Sequence, residues 1–219
     1  MAQALKAYKG IGMEGGIARW YDRTTRRDMP EFVGLAGRIA ALVPASASVL
    51  EVAPGPGFLA IELARRGLAV RGVDISKAFV EIARRNAAAA GVTPRFDLGD
   101  AASLPVGEAS VDFVVCRAAF KNFSQPVRAL AEMWRVLRPG GTALVIDMRR
   151  DVSIAAVRRH VDGLGQGWLN RWFMMLVFRT SLIKRAYSID EIRRMAGEAG
   201  WAEPRFEITP VGFEACMSK

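Results

Sequence analysis

The chain has 219 residues, 51% of them hydrophobic, which is enough for one large domain or for a domain with a small lid. Its formal net charge of +9 fits a nucleic acid, an anionic membrane or acidic substrates as partners, or simply scattered arginine pairs on solvated helix faces. Cys116 and Cys216 lack metal-type spacing and support no disulfide framework, and the sequence shows no signal-peptide pattern, so we expect a cytoplasmic protein. The longest apolar stretch (168–178) is too short to span a bilayer, so we expect no transmembrane segment.

Apolar runs alternate with helical patterns along the chain, with glycine or proline between them. This alternation predicts a mostly parallel sheet with helices on both faces. We expect helices before residue 46 and at about 58–66, 77–90 and 127–137, and strands at 48–52, 69–73, 93–97, 111–116, 142–147, 204–208 and 211–217. The Arg-Pro-Gly-Gly sequence at 138–141 predicts a helix stop and a turn.

The N-terminal segment combines glycines with aromatic residues. Glycines at positions 10, 12, 15 and 16 favour a mobile lid that Trp20 and Tyr21 hold in place. The alternative is an ordinary helix that packs its aromatic side chains into the core.

An insertion at 152–199 separates the fifth and sixth predicted strands. Ser188, with Glu191 three residues later, forms a capping-box pattern and predicts the start of its last helix. The middle segment, which contains Trp168 and Trp172, is apolar nearly all round. It fits a helix buried against the sheet as well as the wall of a substrate pocket.

The turn after the first strand is the strongest functional signal. It contains Gly55 and Gly57 and is followed by a helical pattern, so backbone N–H groups and a helix N-terminus would face a ligand. Asp74 ends the second strand, where a carboxylate can accept hydrogen bonds from two ribose hydroxyls. The position expected for the third glycine of a dinucleotide fingerprint is Ala60, so the pattern indicates another nucleoside-containing cofactor.

The frame of Glu51, Ala53, Gly55 and Gly57 resembles the first motif of the class I S-adenosylmethionine (SAM) methyltransferases, acidic-x-Gly-x-Gly-x-Gly. Alanine at position 53 is a variation also found in the ubiquinone/menaquinone C-methyltransferase group. The resemblance implies SAM as cofactor, S-adenosylhomocysteine as product and no metal. The cofactor-binding residues that it implies are Tyr21, Glu51, Ala53, Pro54, Gly55, Gly57, Asp74, Ile75, Asp100, Ala101, Arg117 and Ala118.

The loop after the fourth strand also resembles the quinone C-methyltransferase group, in which an Arg-Asn pair stands where Lys121 and Asn122 stand here. The loop has neither the Asn-Pro-Pro-Tyr signature of amino-group methylation nor the Pro-Cys of attack on a pyrimidine carbon. Both absences argue against common base methylation. The predicted substrate-pocket residues are Phe120, Asn122, Trp168 and Trp172.

Methyl transfer from a sulfonium needs alignment of the reacting atoms, and a base is required only where the nucleophile must lose a proton. The candidates for that role are His160, Asp147, Glu14 and Tyr21. His160 is the only histidine, yet it lies in an arginine-rich stretch that is typical of a helix surface. Asp147, at the end of the fifth strand, fits a helix cap equally well.

Together these patterns predict an α/β, Rossmann-like fold with seven strands, the last one antiparallel. We expect an N-terminal helical lid (1–45) and a methyltransferase domain (46–219) whose helical insertion (152–199) faces the substrate. The expected reaction is methyl transfer to oxygen or carbon of a small, largely apolar acceptor such as a quinol or phenol. The alternatives are RNA as acceptor, supported only by the net charge, and a SAM-binding protein without methyl transfer. A homodimer is left open.

Overall fold

The computed structural model describes residues 8–9, 12–163 and 168–219. The strands are β1 (Ser48–Val52), β2 (Ala69–Asp74), β3 (Arg95–Leu98), β4 (Val111–Arg117), β5 (Leu137–Met148), β6 (Arg205–Ile208) and β7 (Gly212–Ser218). The α-helices are α1 (Gly15–Thr25), α2 (Met29–Leu42), α3 (Phe58–Ala64), α4 (Lys77–Ala89), α5 (Pro126–Val136), α6 (Ile154–Gly163), α7 (Trp168–Val177), α8 (Ile183–Arg185) and α9 (Ile189–Glu198), and a π-helical segment (Phe178–Leu182) joins α7 to α8.

All seven strands form one sheet in the order β3-β2-β1-β4-β5-β7-β6. Strands β1 to β5 run parallel, whereas β7 pairs antiparallel with both β5 and β6. This confirms the predicted Rossmann-like fold. The chain proceeds from β1 towards one edge and then returns to place β4 on the other side of β1. A crevice therefore opens between the carboxyl ends of β1 and β4, where ligands bind in open α/β sheets.

The central strands are apolar because both of their faces are covered. Val49 and Phe113 point into the cluster formed with α2, α3 and α4, while Leu50 and Val114 point into the cluster formed with α5 and α9. Alternating side chains along a strand face opposite sides of the sheet, so each strand contributes to both cores.

Two details differ from the prediction. The first helix begins at Gly15, so only the part of the glycine-rich segment that precedes it is irregular, and Gly10 lies outside the described residues. Residues 138–141 form a bulge at the start of β5 instead of a free turn. The Gly140 N–H donates to the Lys219 carbonyl and the Lys219 N–H donates to the Gly141 carbonyl, so the C-terminus holds this bulge in the sheet.

The insertion between β5 and β6 contains α6 to α9. The predicted capping box is present at α9: the Ser188 hydroxyl accepts the Glu191 N–H, and the Glu191 carboxylate accepts the Ser188 N–H. Within the part of the chain that the structure describes, no helix is long and apolar enough to cross a membrane.

Candidate functional site

The turn that leaves β1 has an unusual backbone conformation. Ala53, Gly55 and Gly57 all have positive φ angles, of 58°, 55° and 82°. Glycine adopts this region freely, whereas alanine is strained there, which explains why the related motif places glycine at position 53. The Ala53 N–H donates to the Val73 carbonyl at 2.8 Å, so the turn is fixed to the end of β2.

The glycines of this turn meet different surroundings. A Cβ at Gly57 would lie 2.9 Å from the Ala83 Cβ and 2.9 Å from the Phe96 ring. A Cβ at Gly55 would meet only the Tyr21 ring, at 4.0 Å. Gly57 therefore lets α4 and β3 pack closely against the turn, and Gly55 leaves open space above it.

Pro54 belongs to the close packing beneath the turn. Its Cγ lies 2.9 Å from the position that a Cβ on Gly72 of β2 would take. Close approach between the turn and β2 is possible because residue 72 carries no side chain. Together with the Ala53 hydrogen bond, this contact gives the turn a rigid support.

Glu51 precedes the turn and is buried, with 3% of its surface exposed. Its Oε2 atom has no hydrogen-bond partner within the described structure. Burial raises the pKa of Glu51 to about 8, opposed by the Ala60 backbone amide and by the Arg117 guanidinium. An unpartnered buried carboxylate is costly, so its position favours a cationic or hydrogen-bonding ligand beside it.

Asp74 ends β2 beside the same turn. Its carboxylate accepts the Gly55 N–H at 3.0 Å and the Ser76 N–H at 2.9 Å. Burial raises the pKa of Asp74 to about 6, and these two hydrogen bonds oppose that rise. Each carboxylate oxygen can accept a further hydrogen bond, so Asp74 retains capacity for ligand hydroxyls. The next residue, Ile75, is 43% exposed and offers an apolar surface at the rim.

Asp100 and Ala101 follow β3 on the same edge of the sheet. The Gly99 N–H donates to the Asp74 carbonyl at 2.9 Å, which joins this loop to the end of β2. Asp100 Oδ1 accepts the Ala102 N–H at 2.9 Å, so its side chain also orders its own loop. The structure thus brings Glu51, Asp74 and Asp100 to the carboxyl ends of three adjacent strands.

The loop after β4 completes this edge. Ala118 has a positive φ of 59°, and its N–H donates to the Ile146 carbonyl of β5. The Arg117 guanidinium lies 2.6 Å from the Glu31 carboxylate and stacks over the Phe32 ring of α2 at 4.5 Å. Arg117 is therefore held by α2, and it acts on the crevice through its positive charge.

Asp147 forms a buried ion pair with Lys121 at 2.8 Å. Its other oxygen accepts the Lys121 N–H at 2.9 Å, and the Lys121 ammonium also donates to the Ala118 carbonyl. Lys121 and Asp147 are 7% and 6% exposed. These contacts hold the β4 loop onto β5 and engage both oxygens of the Asp147 carboxylate.

Phe120 and Asn122 belong to this loop, and Phe120 is buried in the core, with 1% of its surface exposed. The Phe120 ring packs against the rings of Phe123 and Tyr187, with centroid distances of 5.6 and 5.7 Å. Asn122 is bound at both its carbonyl and its side-chain oxygen, by the Lys9 N–H and the Arg185 guanidinium respectively. Cys116, below the loop, is buried, which raises the pKa of its thiol and excludes a reactive thiolate.

The N-terminal residues lie over the strand edge. The Ser76 hydroxyl donates to the Met13 carbonyl at 2.6 Å, and Glu14 accepts the Ala78 N–H at the start of α4. The Tyr21 ring packs edge-on against Phe79 at 5.6 Å, with its Cε1 above Gly55. The structure therefore places Tyr21 beside the turn, whereas Trp20 is 55% exposed and does not hold the segment in place; the lid stays a prediction.

The prediction missed a set of residues that close this side of the crevice. The Lys9 ammonium donates to the Tyr187 hydroxyl at 2.6 Å, and Tyr8 pairs with Phe123 through a β-bridge. Burial raises the pKa of Tyr8, with Arg185 opposing the rise. Tyr187 directly precedes a capping box and carries no motif, so nothing in the sequence connects it with residues 8 and 9.

The remaining predicted site residues lie elsewhere or outside the description. Trp168 and Trp172 are 76% and 64% exposed and line a groove between α6 and α7, so neither of these two side chains is buried against the sheet, and their place in a substrate pocket stays a prediction. The side chain of His160 lies outside the described residues. Among the described residues, no group of three or more His, Cys, Asp or Glu side chains is placed to hold a metal; the expectation of a metal-free site stays a prediction.

Comparison with known proteins gives three findings at the level of sequence. Residues 50–145 match the family model described as a methyltransferase domain. The demethylmenaquinone methyltransferase of Deinococcus radiodurans is 41% identical over 114 residues, which cover 51% of this chain and 47% of that protein. The chain thus spans about half the length of the curated relatives it matches.

Solved structures share the fold. A Methanococcus maripaludis protein assigned to the SAM-dependent methyltransferases has a TM-score of 0.76 and 19% identity, covering 96% of this chain and 95% of that chain. The cyclase SpnF has a TM-score of 0.60 and 21% identity, covering 91% of this chain and 64% of that chain. At these identities the likeness shows the fold alone.

Proposed function

We propose that this chain is a SAM-dependent methyltransferase whose acceptor is a small, largely apolar molecule methylated at oxygen or carbon; residues 50–145 match the methyltransferase domain family model. The observation that carries the proposal is the pairing of a buried, unpartnered Glu51 oxygen with a positive-φ turn at the carboxyl ends of β1 and β2.

The residues around the turn fit SAM. The unpartnered Glu51 oxygen supplies the negative charge that the methionine ammonium needs, in surroundings where a charge pair is strong. The open space above Gly55, which a side chain would begin to fill, leaves room for the ligand to approach the backbone. A pyrophosphate would instead be repelled by the carboxylates of Glu51 and Asp74.

Each cofactor residue has a proposed part in binding. Asp74 accepts hydrogen bonds from the ribose hydroxyls, and Asp100 with the Ala101 N–H binds the adenine edge. Tyr21 covers the amino-acid end of the cofactor from the lid side. Bound SAM supplies a methyl group already activated by the sulfonium charge and leaves as S-adenosylhomocysteine. The protein therefore contributes mainly binding, orientation and exclusion of water.

The acceptor is proposed from the surface of the β4 loop. Phe120 is 1% exposed and packs with other aromatic rings beneath the loop, so it supports the loop from below and does not itself contact the acceptor. The relative from Deinococcus radiodurans carries a quinone-type acceptor in its name, which supports a quinol or phenol. The Lys9–Tyr187 hydrogen bond provides a polar group near this surface for an acceptor hydroxyl.

We propose that alignment, not a strong base, drives the transfer. Asp147 is committed to Lys121 and positions the loop, while Tyr21 and His160 stay candidates for moving a proton. An electron-rich phenolate or quinol carbon needs little help beyond correct placement. Within the predicted lid range 1–45, α2 belongs to the core, so α1 and residues 12–14 serve in this proposal as the lid that excludes water.

Isothermal titration with SAM tests the cofactor half of the proposal, and S-adenosylhomocysteine release with a panel of phenols and quinols tests the transfer half. A folded protein that does not bind SAM at high micromolar concentration would refute the first half. Binding without product release on any acceptor would favour a SAM-binding protein without methyl transfer. The shared fold of SpnF gives that alternative structural support, because fold does not fix function.

A further inference from the structure

Helix α7 exposes a row of large apolar side chains. Trp168, Trp172 and Leu176 are 76%, 64% and 43% exposed. They are four residues apart, so they lie on one face of the helix and span about 12 Å along it. A soluble surface rarely carries two such tryptophans side by side, and a patch of this kind marks an interaction site.

The insertion has a separate inner face, formed by α6 and the π-helical segment after α7. Val157 and Val161 of α6 are fully buried and pack with Phe178 in a small core of their own. The exposed row is therefore not the core-facing side of the insertion. Between α6 and α7 lies a groove of about 800 Å³, and its lining includes Trp168, Trp172 and Leu176.

Positive charge is concentrated in this part of the chain. Residues 154–185 contain six basic residues against a single acidic one, which is a net charge of +5 out of the +9 of the whole chain. The six are Arg158, Arg159, Arg171, Arg179, Lys184 and Arg185. The acidic residue, Asp162, is paired with Arg171. Arg158 and Arg159 are exposed, and among the described residues neither has an ion-pair partner.

Tryptophan and leucine on one face, with arginines beside them, are the composition of a helix that lies in the interface of a bilayer. Free arginines attract the phosphates of anionic lipids. Single-stranded RNA would also stack on tryptophan and attract arginine. Leu176 and the exposed Ile154 offer no ring for stacking, and hydrocarbon accommodates both of them, so the surface favours lipid.

We propose that the outer face of α6 and α7 binds the surface of an anionic lipid bilayer. The tryptophans enter the headgroup region and the arginines contact lipid phosphates. Lipid binding itself does not depend on methyl transfer. The purpose of lipid binding in this proposal is to let the protein take up an apolar acceptor that is dissolved in the membrane, and this purpose rests on the proposed function.

Flotation with lipid vesicles tests this surface on the full-length protein. Vesicles rich in phosphatidylglycerol should carry the wild type, pure phosphatidylcholine should carry much less, and added salt should release the protein. The double variant Trp168→Ser/Trp172→Ser should partition at least about tenfold less, since it removes two large apolar side chains from the interface. The double variant Arg158→Glu/Arg159→Glu should also reduce vesicle binding, by at least about fivefold for each arginine replaced.

The matched control is Leu42→Ser/Trp134→Ser, which removes two exposed apolar side chains from other helices and should leave flotation unchanged. Wild-type protein that does not float, or equal flotation of the wild type and Trp168→Ser/Trp172→Ser, would overturn the proposal. RNA retention that is lost in the same double variant, without vesicle binding, would replace it with a nucleic-acid surface. SAM titration of the wild type separates the two proposals: vesicle binding without SAM binding removes the proposed function and leaves the lipid surface standing.

Discussion

The two glycines of the β1 turn provide the sharpest test of the site. Gly57 has φ +82° and no room for a Cβ, which would lie 2.9 Å from both Ala83 and Phe96. Gly67, at φ +83°, has nothing within 4 Å of the same position. Gly57→Ala and Gly67→Ala therefore impose the same backbone strain, and only the first adds a packing clash.

The expected magnitudes follow from these surroundings. Placing alanine in the left-handed region costs about 1–2 kcal/mol, so Gly67→Ala should lower the free energy of unfolding by that amount. Overpacking a filled core costs about 1–3 kcal/mol more, so Gly57→Ala should lose about 2–5 kcal/mol in total. A domain whose free energy of unfolding is about 5–15 kcal/mol would still fold after most losses of this size.

Gly55→Ala separates stability from ligand binding. At φ +55°, with only the Tyr21 ring 4.0 Å away, the new methyl group causes strain without a clash. Its stability should therefore match that of Gly67→Ala. Its SAM affinity should fall by about tenfold or more, because the methyl group occupies the space through which the ligand approaches the backbone.

Urea unfolding of the three variants, with isothermal titration of SAM on each, measures both effects. Equal losses of stability in Gly57→Ala and Gly67→Ala would refute the packing described around Gly57. Unchanged SAM affinity in Gly55→Ala would show that the ligand does not lie above this turn.

Three further predictions concern the carboxylates. Asp74→Ala should weaken SAM binding by about ten- to a hundredfold, since charge-assisted hydrogen bonds contribute roughly 1.5–3 kcal/mol each. Glu51 should make SAM affinity rise as the pH increases towards 8, because burial holds its pKa at about 8 and the ligand needs the ionised form. Between pH 4.5, the ordinary pKa of a glutamate, and about pH 8, the folded state binds more protons than the unfolded state. The free energy of unfolding of the ligand-free protein should therefore fall as the pH rises through this range. Asp147→Ala should lower the free energy of unfolding by about 3–5 kcal/mol by leaving the Lys121 charge buried and unpaired, whereas Lys121→Met/Asp147→Leu should cost less in urea unfolding.

Each of these predictions has its own control. Asp97→Ala removes a carboxylate from β3 that is bound by Arg71 and Arg95, and it should leave SAM affinity intact. Glu51→Gln should remove the slopes of both pH profiles between about pH 6 and 8, whereas a slope below pH 6 belongs also to Asp74, whose pKa is raised to about 6; a slope above pH 6 that persists in this variant would assign it to another group. If the double variant of Lys121 and Asp147 is less stable than Asp147→Ala, the unpaired charge is not the source of the loss.

Local pattern was sufficient to predict most of the fold. The central strands β1, β4 and β5 are mainly apolar runs, and α4 and α9 carry side-chain start signals at Ser76 and Ser188. The turn after β1 and the position of Asp74 are equally local, since a glycine turn and a strand-ending carboxylate can be read from neighbouring residues. The antiparallel last strand and the predicted sheet were therefore confirmed by the structure.

The bulge at 138–141 was not predictable in the same way. Its Pro-Gly-Gly sequence reads as a turn, and only pairing with Lys219, which is distant in sequence, keeps it in the sheet. Likewise, the burial that raises the pKa of Glu51 depends on which elements cover β1.

The sequence by itself determined that a parallel sheet ends in a small-residue turn and acidic side chains suited to a nucleoside cofactor. Only the tertiary structure decided what surrounds them: that Lys121 neutralises Asp147, that Lys9 contacts Tyr187, and that Trp168 and Trp172 face outward. The reason is physical. Backbone conformation follows from neighbours along the chain, whereas burial, ion pairing and exposure depend on residues that are far apart in sequence and meet only when the elements pack.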